Sequence, residues 1–195
     1  MRIQGRSVLI FCGLLILSAC LSFNNESLKD ISSSSFPPGH IQNPLRISTA
    51  QGLVDLSNDT DLWNDYHILT TDIDLTGFDH NDMPPIGNTA TPFSGGLDGD
   101  GNTISNFTNT SSVNEVGLFG VIEGANAHVK NLTLSNVTID GDSYTAAFAG
   151  RMRAGKMVNV HLASGTLSGN DYAAGIVGEL ARGAALGSCS NFVDI

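Results

Sequence analysis

The stretch Asn131-Leu132-Thr133-Leu134-Ser135-Asn136 returns 28 residues later as Asn159-Val160-His161-Leu162-Ala163-Ser164, and this recurrence decides the fold. The correspondence runs outward. Ile139 matches Leu167, Gly141 matches Gly169, Tyr144 matches Tyr172, Phe148 matches Ile176 and Gly150 matches Gly178. An earlier copy holds Val116-Gly117-Leu118-Phe119-Gly120, where Gly120 precedes Gly150 by 30 residues, and a loop around Asn126-Ala127 accommodates the two extra residues. A more divergent unit, Phe93 to Ile104, stands before it. Within a unit the apolar residues alternate: Leu132 and Leu134 point one way and Thr133 the other, and Val137 and Ile139 repeat the pattern after a Ser-Asn turn. A period of two is the signature of a strand. Short strands and turns in units of this length predict an all-β solenoid of about four rungs, stacked about 4.8 Å apart by parallel hydrogen bonds. Corner glycines supply positive φ, and Ala146, Ala147 and Ala174 let the coil fold tightly. The regular leucine spacing and asparagine ladder of a leucine-rich repeat are absent.

The N-terminal end carries a different signal. Arg2 and Arg6 precede an apolar run from Val8 to Leu17, too short to span a bilayer and suited to a secretory signal. It ends Leu17-Ser18-Ala19-Cys20, which resembles a bacterial lipobox, cleaved between Ala19 and Cys20 with fatty acylation of the cysteine. Leu21 after the cysteine favours an outer-membrane destination in a Gram-negative host. Residues 1–19 are therefore expected as a signal peptide and 20–44, with its serine run and prolines, as a lipidated tether. Residues 45–195 are expected as the solenoid, begun by a short capping helix that Ser48 or Thr49 initiates and Leu53, Val54 and Leu56 anchor. Cys12 falls in the signal and Cys20 in the anchor, which leaves Cys189 alone and provides neither a disulfide nor a zinc site.

Gly117-Leu118-Phe119-Gly120 and Gly175-Ile176-Val177-Gly178 resemble the GLUG motif, with Ala147-Phe148-Ala149-Gly150 as a degenerate copy. The similarity covers roughly Leu45 to Ile195. GLUG repeats occur in bacterial surface proteins, including adhesin-like passengers and the non-catalytic region of immunoglobulin A-specific metallopeptidases. The resemblance implies a right-handed parallel β-helix, a scaffold function and no catalytic residues.

Composition agrees with an extended scaffold and excludes one partner class. Nineteen acidic residues against nine Lys plus Arg give a net charge of −10, the wrong sign for nucleic-acid binding. Asp98, Asp100 and Asn102 have the spacing of a calcium loop, but Thr103 and Asn109 stand where such a loop needs Gly and Glu. They read as an Asp-Gly corner with at most a weak Ca²⁺ site, and no cofactor is expected. Asp72 and Asp74 share a strand face. Arg151, Arg153 and Lys156 form a basic cluster read as an exposed loop or weak binding patch, and His161 faces solvent. The resulting expectation is a lipid-anchored, non-catalytic envelope scaffold, facing the periplasm or the cell surface, that contacts a host or neighbouring-cell protein or glycan. A second reading is the N-terminal scaffold fragment of a larger secreted peptidase or autotransporter-like protein. A third is a polysaccharide-acting β-helix enzyme. No cap is legible after Gly178, so the array is expected to be truncated at its C-terminal end, or to associate end to end through an open last rung.

Overall fold

A computed structural model describes residues 37–192. The segment expected as a signal peptide, with Ala19 and Cys20, and residues 193–195 lie outside the described residues. The compact unit begins at Pro38, and part of the segment expected as tether already packs on it. Gly39 N–H donates to the Asn43 carbonyl at 3.0 Å, and Tyr66 N–H donates to the Gly39 carbonyl at 2.8 Å.

The chain winds as a β-solenoid of about four turns with one short helix. Strand β1 (Leu45–Ile47) leads into helix α1 (Ala50–Asn58) and a 3₁₀ turn (Thr60–Leu62). The following coils carry β2 (Tyr66–Leu69) and β3 (Ile73–Asp74), then β4 (Gly96–Asp98), β5 (Thr103–Ser105) and β6 (Thr108–Asn109). Next come β7 (Phe119–Ile122), β8 (His128–Ser135) and β9 (Val137–Asp140), then β10 (Ser143–Ala146), β11 (Ala149–Leu162) and β12 (Gly165–Ser168). The last described coil holds β13 (Asp171–Ala174), β14 (Val177–Gly187) and β15 (Ser190–Asn191). Every strand-to-strand ladder is parallel. The long sheet runs β1-β2-β4-β8-β11-β14, and smaller ladders join β6-β9-β12 and β10-β13.

The register reproduces the repeat. Leu162 pairs with Leu134, Leu167 with Ile139 and Val177 with Ala149, each 28 residues apart. Between β7 and β11 the offset is 30, at Phe119 to Ala149 and Ile122 to Met152, and it drops to 28 at His128 to Lys156. The two extra residues therefore lie between Ile122 and His128, where the loop is expected. A bulge between Met152 and Ala154 shifts β14 by one, so His161 pairs with Ser190. Cys189 then falls opposite Val160 and packs half-buried against the core.

Alternation is what closes the core. Along β8 the buried residues are Val129, Leu132 and Leu134, and along β9 Val137 and Ile139 are buried while Thr138 and Asp140 are exposed. Ile104, Leu134 and Leu162 form one stacked column, all fully buried. Each such side chain contributes about 1.5–3 kcal/mol of burial. Helix α1 starts where Thr49 Oγ1 accepts from Gly52 N–H at 3.1 Å, and it buries Leu53, Val54 and Leu56 in the same core. Trp63 locks its C-terminal end, the indole N–H donating to the Leu56 carbonyl at 2.8 Å.

Candidate functional site

The corners of the coil differ from the expectation of glycine turns. Positive φ falls mainly on other residues: Asn106 and Asn136 at one corner, Asn131 and Asn159 at another, and Glu115, Tyr144 and Tyr172 at a third. Asparagine tolerates the left-handed region and can bond along the stack. Asn159 Nδ2 donates to Asn131 Oδ1, and Asn131 Nδ2 donates to Asp98 Oδ1, both at 3.0 Å. Asn136 Nδ2 donates to Asn106 Oδ1 at 2.6 Å, and Asn106 Nδ2 to Asp74 Oδ1 at 2.7 Å. Two side-chain amide ladders thus run along the corners, and the offset of the coils remains that of the solenoid.

The tetrads that resemble the GLUG motif occupy the third corner, and their second glycine lies outside the positive-φ region. A Cβ on Gly150 would lie 2.6 Å from Glu115 Cα and from the Tyr144 carbonyl oxygen, and one on Gly178 would lie 2.8 Å from the Tyr172 carbonyl oxygen. Close approach of backbone, rather than conformational freedom, therefore excludes a side chain there. The first position is looser in the middle copy, where Ala147 is fully buried in place of Gly117 and Gly175. The apolar members fill the core: Leu118, Phe119, Phe148 and Ala149 are fully buried, whereas Ile176 and Val177 in the last coil are half-buried.

Outside this corner, charges pair along the stack. Arg151 bonds Glu179 and Glu115, the latter at 3.2 Å, and its guanidinium lies 4.5 Å from the Tyr144 ring centroid. Arg153 pairs with Glu123 at 3.2 Å. The expected basic cluster is not a loop and not one patch: all three residues lie on β11, and Lys156 lines a separate cleft beside Tyr66, His128 and Lys130. There the Tyr66 and His128 rings approach to 5.2 Å across Gly96, whose missing side chain leaves them room.

The acidic candidates are committed to turns. Asp98 Oδ1 accepts from Asp100 N–H at 2.9 Å, and Oδ2 pairs with Lys130 at 2.9 Å. Asn102 Nδ2 donates to the carbonyls of Gly99 and Leu69. Asp72 accepts from Thr103 N–H, and Asp74 accepts from the N–H and hydroxyl of Thr76. Partial burial works against the Asp98 carboxylate, but the Asp100 N–H, Lys130 and Asn131 outweigh it and hold its pKa below the ordinary value. His161, expected to face solvent, is half-buried and bonds Ser190 Oγ at 2.6 Å and Asn159 Oδ1 at 2.9 Å.

What the sequence reading missed is a cleft of about 350 Å³ between the C-terminal end of α1, the loop around Pro84 to Asn88 and the segment Val113 to Glu115. Trp63, Pro84, Pro85 and Val113 supply apolar lining, and Asn58, Asn88, Asn114 and Glu115 the principal polar groups. Each amide is half-used by the fold. Asn88 Oδ1 accepts from the N–H groups of Ala90 and Thr91, and Asn114 Oδ1 accepts from Ser143 N–H. Asn58 Nδ2 donates to the carbonyls of Val54 and Asp82. Their remaining atoms, Asn88 Nδ2, Asn114 Nδ2 and Asn58 Oδ1, have no partner among the described residues. Among the described residues Glu115 is the only charged one in the lining, and Arg151 and the Thr89 hydroxyl engage its carboxylate. Its clue in the sequence is a broken column: Glu115 stands where the next coils carry Tyr144 and Tyr172, all with φ between 54° and 62°.

The fold and its laddered corners define a β-solenoid with a lateral cleft. The chain is similar to "Halomucin" of Haloquadratum walsbyi, 34% identical over 122 residues that cover 57% of this chain and 1% of that protein. It is also similar to a "Putative Gly-rich membrane protein" of Evansella cellulosilytica, 38% identical over 125 residues that cover 60% of this chain and 14% of the relative. The chain thus spans a small part of both relatives. No family model matches. Among solved structures, a "putative immunoglobulin A1 protease" from Bacteroides ovatus shares the fold, with a TM-score of 0.50 and 16% identity over 78% of this chain and 68% of that one.

Proposed function

We propose that the chain is a non-catalytic scaffold of the cell envelope, anchored by lipid on Cys20 in the outer membrane, that presents its solenoid flank to a protein or glycan for adhesion or display. The observation that carries this reading is the use made of its polar side chains. Asp72, Asp74, Asp98 and the asparagine columns hold one coil to the next rather than converging on a reacting centre. The relative named as a membrane protein supports an envelope location. The likeness to the Bacteroides ovatus protein supports the second reading, in which this scaffold belongs to a larger secreted peptidase or autotransporter-like protein.

The test is a Cys20→Ala variant of the full chain expressed in a Gram-negative host. The variant loses membrane fractionation and fatty-acyl labelling under this proposal. Retention of both overturns the anchor. Release of unsaturated sugars from a polysaccharide by the purified protein overturns the non-catalytic reading.

A further inference from the structure

We propose that the cleft beside Trp63 is a binding site for an uncharged, hydroxyl-rich ligand, the tip of a neutral saccharide chain. The inference rests on the scaffold reading for its setting and goes beyond it in naming a site and a ligand class.

The chemistry of the lining selects that class. Asn88, Asn114 and Asn58 each spend one end of the amide on the fold, which fixes the orientation of the other end. Two uncommitted N–H₂ donors and one uncommitted carbonyl acceptor then line a single cavity. Vicinal sugar hydroxyls, each at once donor and acceptor, satisfy such a mixed set. Groups already held in place lose little freedom on binding. The apolar wall of Pro84, Pro85 and Val113 offers a surface to the C–H face of a pyranose, and Val113 is 50% exposed and open to contact. A cavity of about 350 Å³ falls at the small end of ligand sites. The one charged lining group, Glu115, is already matched by Arg151. Among the described residues no basic side chain lines the cavity to receive a carboxylate, sulfate or phosphate, and the chain as a whole carries −10. A charged sugar is therefore the wrong ligand.

The single tryptophan of the chain lines the cleft, so intrinsic fluorescence reports on this site alone. The full chain, purified in a detergent without a sugar headgroup, is titrated with chitobiose, maltose and lactose as neutral probes and with digalacturonate as the charged one. The same titrations are followed by the side-chain amide resonances of Asn88 and Asn114. At least one neutral disaccharide shifts both signals saturably, with a dissociation constant on the order of 1 mM, and digalacturonate shifts neither. The paired variant Asn88→Asp, Asn114→Asp keeps the oxygens that accept from Ala90, Thr91 and Ser143 but lacks the free donors. It binds at least tenfold more weakly with an unchanged melting temperature. A panel in which no neutral sugar saturates either signal overturns the proposal. So does equal binding of digalacturonate, or undiminished binding by the folded double variant. None of these outcomes depends on acylation of Cys20, so the site and the envelope reading stand or fall separately.

Discussion

Tyr144 and Tyr172 sit one coil apart with their rings stacked, centroids 4.9 Å apart and planes 10° from parallel. Both are in the left-handed backbone region, at φ 60° and 54°. The stack is therefore a product of the repeat: identical corner geometry one coil on puts identical side chains face to face. Glu115 occupies the preceding corner with the same geometry and a different side chain, and the cleft opens there. Regularity makes the ladder, and its interruption makes the candidate site.

The corner at Tyr144 separates ring from backbone. Tyr144→Ala loses the stack and the Arg151 contact, costing about 1–2 kcal/mol, and it keeps a Cβ at positive φ. Tyr144→Gly loses the same contacts but relieves the steric cost of that conformation. Chemical denaturation is expected to show the glycine variant about 0.5–1 kcal/mol more stable than the alanine variant. The reverse order would mean that the corner is not left-handed in solution.

Close approach at the second glycine of the tetrad gives a sharper contrast. Gly150→Ala places a methyl 2.6 Å from the Glu115 backbone, which must move, and the expected loss is about 2–4 kcal/mol. Ala147→Gly, at the first position, deletes one buried methyl and costs about 1 kcal/mol. Equal losses would put the constraint on the motif as a whole rather than on its second glycine.

Inward and outward positions on β8 differ by one residue. Leu134→Asp buries an unpaired charge in the Ile104–Leu134–Leu162 column and costs several kcal/mol. Thr133→Asp lies on the partly exposed face, where His161 is its neighbour in register, and is nearly neutral. Matching melting temperatures for the two variants would refute the register.

The offset, the alternation and an N-cap at Ser48 or Thr49, which the structure puts at Thr49, were legible because each rests on local chemistry that recurs: a period of two, a 28-residue spacing, a hydroxyl before an apolar stripe. The cleft was not legible, because Asn58, Asn88 and Asn114 lie on three segments that only the winding of the coil brings together. Each alone reads as a turn residue, which half of its amide indeed is. Arg151 and Arg153 were misread for a related reason. Their spacing suggests a basic patch, whereas Glu115, Glu123 and Glu179, 28–36 residues away, engage them from neighbouring coils. Asn109 shows the limit in the opposite direction: it is fully buried beside Ile139 in register, its Oδ1 accepts from Ser111, and its Nδ2 has no partner among the described residues.

His67 makes stability fall as the pH is lowered, in a range above that of the carboxylates. It is 3% exposed, and burial depresses its pKa below 6.5, outweighing the opposing effects of the Leu62 carbonyl and Asp65. Its Nε2 lies 2.9 Å from that carbonyl, the geometry of an N–H donor. Below about pH 6.5 the unfolded chain takes up a proton that the folded chain resists, so stability declines as pH falls toward the depressed folded value. The limiting slope for one proton is about 1.4 kcal/mol per pH unit. His67→Gln retains a donor for Leu62 without the titration, and its denaturation midpoint should be flatter than wild type between pH 7 and pH 5. Parallel profiles would show that His67 titrates alike in both states.

The last described coil leaves its outer edge unpaired among the described residues, since β14 has only β11 beside it. Leu180, Leu186 and Phe192 on that coil are 47%, 40% and 75% exposed. The first coil differs, because α1 buries its apolar stripe there. An open parallel edge with exposed apolar side chains invites another strand, and a second copy of the chain offers the same edge in return. Two copies that meet through this same edge close on each other, so the expected product is a closed pair rather than a filament. Light scattering on residues 38–195 should show a mass that rises with concentration toward twice that of the monomer. Lysines at Leu180 and Leu186 should return it to monomer, because charges on an edge oppose pairing; both continue the Met152 and Met157 columns in register, so a modest fall in melting temperature accompanies the change. Lysine at Thr133, on the flank, should leave association unchanged. A monomer at high micromolar concentration, or growth of mass without limit, would rule out the pairing.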